Sequence, residues 1–134
     1  MDLCSREWFI ERLIGLRCSA EAGAYVVGVV NKFVVSVDGD MSDVSLVVSF
    51  DNASRVGDFV ELQRLGDWVL WSMAIVPESV ADRVKLTEMI GREAYDACYR
   101  LLRRQLYVYK ELSVDLSDIA KQVNRRLLRQ GEKR

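Results

Sequence analysis

Residues 56–75 constrain the fold more than any other part of this chain. Val56, Phe59, Val60, Leu62 and Leu65 begin one stripe at helical spacing, and Trp68, Val69, Leu70, Trp71, Met73 and Ile75 widen it to nearly the whole circumference. A helix that is apolar all round belongs at the centre of a domain, covered by other elements. The pattern predicts a helix over 55–75 with Ser54 as its N-cap, preceded by a short helix over 44–53 capped by Asp43. Val76-Pro77 stops the central helix, because proline pushes the preceding residue out of the α region.

The flanking segments supply the cover. Residues 7–16 place Trp8, Phe9, Leu13, Ile14 and Leu16 among charged neighbours, as on a short amphipathic helix that Gly15 ends. From Ser19, an N-cap, apolar residues recur at 22, 25, 26, 29, 30, 33, 34 and 37, a helical series. Many of them are valines, so the alternative is a β-hairpin within residues 33–50 around Asp38-Gly39-Asp40. A helix from Glu78-Ser79 to about Gln105 carries Val80, Val84, Met89, Ile90, Ala94, Ala97, Cys98, Leu101 and Leu102. Leu106-Tyr107-Val108-Tyr109 reads equally as its end or as a short extended piece. A last helix, capped by residues 113–115, places apolar residues at 116, 119, 120, 123 and 127 and ends at Gln130-Gly131.

The expected fold is therefore all-α, an irregular bundle of about five or six helices, with residues 1–130 one domain and 131–134 a frayed tail. The chain's 134 residues leave room for one core, and a single proline argues against a turn-dense β-sandwich.

Composition removes several chemistries. There is no histidine, so Ser-His-Asp and Cys-His catalysis and His-containing zinc sites are excluded. Cys4, Cys18 and Cys98 form no C-x-x-C pair and are odd in number, so reduced thiols are expected, with a nucleophilic Cys98 beside Arg92 and Arg100 as the alternative. No glycine-rich phosphate loop is present. Asp38, Asp40 and Asp43 lack the glycine and glutamate of a calcium loop and read as a solvated acidic loop. No cofactor and no metal are expected. The acidic residues 1–7 and the short apolar runs point to a cytoplasmic protein with no membrane span.

Charge is unevenly laid out. Residues 1–99 carry 9 basic and 16 acidic side chains, whereas 100–134 carry 10 basic and 4 acidic. Lys121, Arg125, Arg126 and Arg129 make a candidate basic surface on the last helix, without the aromatic residues that stacking on single strands needs.

Two glycines, Gly66 and Gly91, fall inside the central helices at a cost of about 1 kcal/mol each relative to alanine. They mark where those helices cross. Asp67 stands at the entrance of the most apolar stretch, and a carboxylate there must be capped, hydrogen-bonded or paired. Arg64 and Arg92 are the candidate partners, with Tyr95 one turn beyond Arg92 able to donate its hydroxyl. Arg64, Asp67, Arg92 and Tyr95 thus form a candidate buried polar network.

The stretch Arg64-Leu65-Gly66-Asp67-Trp68-Val69-Leu70, then Pro77-Glu78-Ser79, then Ile90-Gly91-Arg92-Glu93-Ala94-Tyr95, resembles a pattern in uncharacterised small bacterial helical proteins: R-L-G-D, a proline, and G-R-x-A-Y. The resemblance covers residues 54–102. It departs at Thr87-Glu88-Met89, where the pattern has aromatic residues. It implies a helical fold, no assigned activity, and a joint role for Asp67, Arg92 and Tyr95.

The leading functional expectation is a non-catalytic protein-interaction module that self-associates, as a homodimer. Three Trp and five Tyr, together with helices apolar over most of their circumference, motivate it. The alternatives are nucleic-acid binding through the basic final helix, and a small-ligand or enzyme site around Asp67, Arg92 and Tyr95.

Overall fold

Burial of one apolar stripe per helix organises the chain. The computed structural model describes Leu13, residues 15–35 and residues 43–129. These contain α1 (Ala20–Val35), α2 (Asp43–Val56), α3 (Phe59–Ile75), a 3-10 segment (Pro77–Arg83), α4 (Val84–Leu101) and α5 (Tyr107–Asn124), followed by a π turn at Arg125–Arg129. The fold is all-α. None of the described helices is long and apolar enough to cross a membrane.

Helix α3 is the centre: it packs on α4 and α5, which also pack on each other, while α2 lies on α3 and α4 and α1 on α3 and α5. Leu62, Leu65, Val69 and Leu70 of α3 are fully buried, as are Leu112, Leu116 and Ile119 of α5. The α3–α4 crossing depends on its glycines. A Cβ at Gly66 would lie 2.8 Å from the Tyr95 ring, and one at Gly91 would lie 2.5 Å from Val69 Cγ1 and 2.9 Å from Leu116. The helices approach more closely there than any side chain allows, which is the reading that the sequence suggested.

Helix α1 forms despite its valines. Ser19 caps it, its hydroxyl accepting the Ala22 N–H at 3.1 Å. Ala22, Val26, Val29, Val30 and Phe33 then fall on a buried face. Burying one such valine is worth about 1.5 kcal/mol or more, against a helix-propensity cost of a few tenths. The same balance decides α2, where buried Leu46 and Ala53 and half-buried Phe50 share one stripe. The hairpin alternative therefore fails: residues 43–50 are helical, and no strand occurs among the described residues. The seven residues between α1 and α2, including Asp38 and Asp40, lie outside the described residues, as do most residues of the first expected helix.

Three boundaries differ from the sequence reading. The helix expected from Ser54 onward is broken at Gly57, whose φ is +71°, and Asp58 caps α3 by accepting the Glu61 N–H at 3.1 Å. The segment after Pro77 is a 3-10 turn before it becomes helical at Val84. The ambiguous residues 106–109 begin α5 at Tyr107, and the expected start at 113–115 is instead a kink at Asp115 (φ −105°, ψ 19°). Arg92 explains that kink: its Nε donates to the Ser113 carbonyl at 3.0 Å while Ser113 Oγ donates to the Arg92 carbonyl at 2.9 Å. A side chain inserted into the carbonyl ladder bends a helix.

Candidate functional site

Asp67 lies on α3 in the third turn from its start, one residue past the glycine that admits Tyr95. Its carboxylate is buried, with 3% of the residue exposed. Tyr25 of α1 donates its hydroxyl to Oδ1 at 2.6 Å, Tyr95 of α4 donates to the same oxygen at 2.7 Å, and the Lys32 ammonium of α1 lies 3.1 Å from Oδ2. One carboxylate thus joins three helices. A buried charge is tolerated in this way, by charge-assisted hydrogen bonds and one opposite charge.

The expected partners are only partly those observed. Tyr95 is, but the two arginines are engaged elsewhere. Arg64 forms two hydrogen bonds to Glu61 one turn back, at 2.9 and 2.6 Å. Arg92 spans α4 and α5 through the Ser113 carbonyl and approaches Glu88 at 3.5 Å. Both lie on more exposed faces of their helices, where a guanidinium keeps part of its hydration. The partners that sequence reading missed, Tyr25 and Lys32, sit on α1, whose distance along the chain hid them. A signal existed: Tyr25 is one of the apolar-series positions of α1, and Lys32 falls seven residues later, on nearly the same face.

Around the carboxylate the site is aromatic. The rings of Tyr25 and Tyr95 meet edge to face at 6.0 Å, and Tyr25 and Tyr109 at 5.6 Å. Gln63 donates its amide to the Tyr109 hydroxyl at 2.7 Å. Burial, reinforced by the Asp67 charge, raises the Tyr25 and Tyr95 phenols above their ordinary range. They are hydrogen-bond donors at neutral pH. Cys98 is buried nearby, and burial, followed by the Asp67 charge, pushes its thiol up to about 12. The thiolate needed for a nucleophilic Cys98 is thereby disfavoured. Cys18 is half-buried with its thiol raised by burial and by Glu111 and Asp115, and both cysteines are free thiols.

The site opens to solvent between α1 and α3. A cleft of about 250 Å³ between α1 and α3 is lined by Ala24, Tyr25, Gly28, Lys32, Gln63 and Asp67 among others. The arrangement suits holding a positive charge against a buried carboxylate, and it offers no activated nucleophile.

The basic surface of the last helix is dispersed. Lys121 and Arg125 are exposed, whereas Arg126 donates to the Gly15 carbonyl at 3.1 Å. Arg129 lies in the closing π turn. No protein-family model, curated protein or solved structure matches this chain.

Proposed function

We propose that this chain is a protein-association module that works as a homodimer, through the bundle end where α2 meets α3 and α4 meets α5. The observation that carries this reading is the set of large apolar side chains at that end. Val56 is 77% exposed and Tyr107 64%, and Val60, Leu101 and Leu106 are also exposed. Gly57 lies against Leu101, and the Tyr107 ring meets Tyr99 edge-on at 6.1 Å, so the two connections adjoin the same helix end. Isolated exposed hydrophobic residues are ordinary, but several at one end of a small domain favour a partner surface.

The backbone supports the same end. Arg103 and Arg104 both hold positive φ, 56° and 59°. That conformation costs roughly 1–2 kcal/mol per non-glycine residue. It is held by Arg103 N–H to the Arg100 carbonyl at 3.0 Å and Arg104 N–H to the Tyr99 carbonyl at 2.9 Å.

Light scattering after size exclusion tests this. The wild type is expected to be a dimer whose mass is unchanged by salt, and Val60→Asp is expected to be a monomer with an unchanged far-ultraviolet circular dichroism spectrum. A wild-type monomer at high micromolar concentration overturns the reading. So does a chain that carries nucleic-acid absorbance at low salt and sheds it at high salt.

A further inference from the structure

The cleft beside Asp67 has a feature that a purely structural network does not need. Asp67 Oδ1 accepts two phenols from the interior, but the partner of Oδ2 is an ammonium that reaches in from solvent on a flexible stem, its side chain half exposed. The Lys32 ammonium also lies over the Phe33 ring, 5.1 Å from its centroid. A carboxylate oxygen and an aromatic face are together the two groups that attract an ammonium. The approach is kept open by small residues. Ala24 and Gly28 lie two turns and one turn before Lys32 on α1, and a Cβ at Gly28 would meet nothing within 4 Å. The wall that they leave, with Val29, is apolar and suits a short alkyl chain.

We propose that this cleft binds a small primary alkylammonium ligand, whose cation replaces the Lys32 ammonium on Asp67 Oδ2 while Lys32 swings into solvent. Lys32 is then a tethered competitor. The apparent affinity of the wild type is lowered by the fraction of molecules in which Lys32 occupies the site. The alkyl chain rests on Ala24, Gly28 and Val29, and the Tyr25 and Tyr95 hydroxyls keep Oδ1 fixed. This proposal is independent of the association surface, which lies at the bundle end.

The probe is n-butylammonium chloride, titrated into the wild type, Lys32→Met and the Lys32→Met/Asp67→Asn double variant. Melting temperature and the amide chemical shifts of Tyr25 and Gln63 are followed, with tetramethylammonium chloride matching the ionic strength. Lys32→Met is expected to show a saturable rise in melting temperature, with a midpoint about tenfold below that of the wild type. The double variant is expected to show none. No saturation in Lys32→Met, an equal response in the double variant, or an equal effect of tetramethylammonium overturns the proposal. Should Lys32→Met fail to fold, the wild type decides: saturable shifts at Tyr25 and Gln63 support the site, and their absence overturns it.

Discussion

The α3–α4 crossing and the attachment of α1 hold the same central helix by opposite means. At the crossing shape does most of the work, beside the one polar bond from Tyr95 to Asp67. Gly66 takes the Tyr95 ring and Gly91 takes Val69 and Leu116, with no space for a methyl group at either position. Along α1 polar bonds accompany the valine face. Tyr25 and Lys32 reach Asp67 of α3, and on the α5 side Ser19 gives its N–H and hydroxyl to Glu111 at 2.8 and 2.6 Å while the Arg17 N–H donates to Gln122 at 2.7 Å. A shape-limited contact fails when atoms are added, and a polar one fails when a partner is removed. The two regions therefore answer to opposite kinds of substitution.

The largest expected effect comes from the polar side. Asp67→Ala leaves the buried Tyr95 phenol and the half-buried Tyr25 phenol without their acceptor, while the half-exposed Lys32 ammonium turns into solvent, and it is expected to cost about 2–4 kcal/mol, at roughly 1–3 kcal/mol for a buried donor left unpaired. Urea denaturation measures it. A loss under about 1 kcal/mol would mean that the valine face alone holds α1, and the contrast between the regions would collapse.

Next comes the addition of a methyl group. Gly91→Ala is expected to destabilise by about 2 kcal/mol, because overpacking outweighs the gain in helix propensity. Gly28→Ala on α1 is the control, where a Cβ meets open space. It is expected to stabilise by up to about 1 kcal/mol. Thermal denaturation of the two variants side by side sharpens the comparison, and the same sign in both would break it.

The smallest effect per step is alkaline. Burial and then the Asp67 charge raise the Tyr25 and Tyr95 phenols, so their folded pKa lies above the unfolded value. Their contribution is complete below about pH 10, the unfolded tyrosine pKa, and is lost as pH rises from there toward the folded value. Each phenol that ionises only on unfolding removes about 1.4 kcal/mol per pH unit. Urea midpoints across the alkaline range, compared between wild type and Tyr25→Phe, read this slope. An identical slope in the two proteins would place Tyr25 in contact with water and detach it from the network.

Much of the bundle is legible in the chain because burial follows period. The apolar circumference of 62–75 marks α3 as central, Pro77 marks its end, and mid-helix Gly66 and Gly91 mark the crossing. Boundaries were less legible where two short signals compete. Ser54 and Asp58 are both capping residues, and Gly57, by taking a positive φ, settles the break in favour of Asp58. At 113–115 the capping residues are real, but Arg92 from another helix turns the predicted start into a kink.

The sequence by itself determined that Asp67 is a buried carboxylate in need of partners, because a charge inside the most apolar segment has no other stable state. It also offered Tyr95 among the candidate partners, beside Arg64 and Arg92, since Gly66 and Gly91 bring α3 and α4 together at that level. Which cation approaches was decided only by the tertiary structure. Arg64 and Arg92 are close in the chain or across the crossing, yet their helical phase turns them toward Glu61 and Ser113, while α1 docks with Tyr25 and Lys32 directed at the carboxylate. Helix period fixes which residues share a face, whereas the rotation and register of one helix against another follow from packing summed over the whole core.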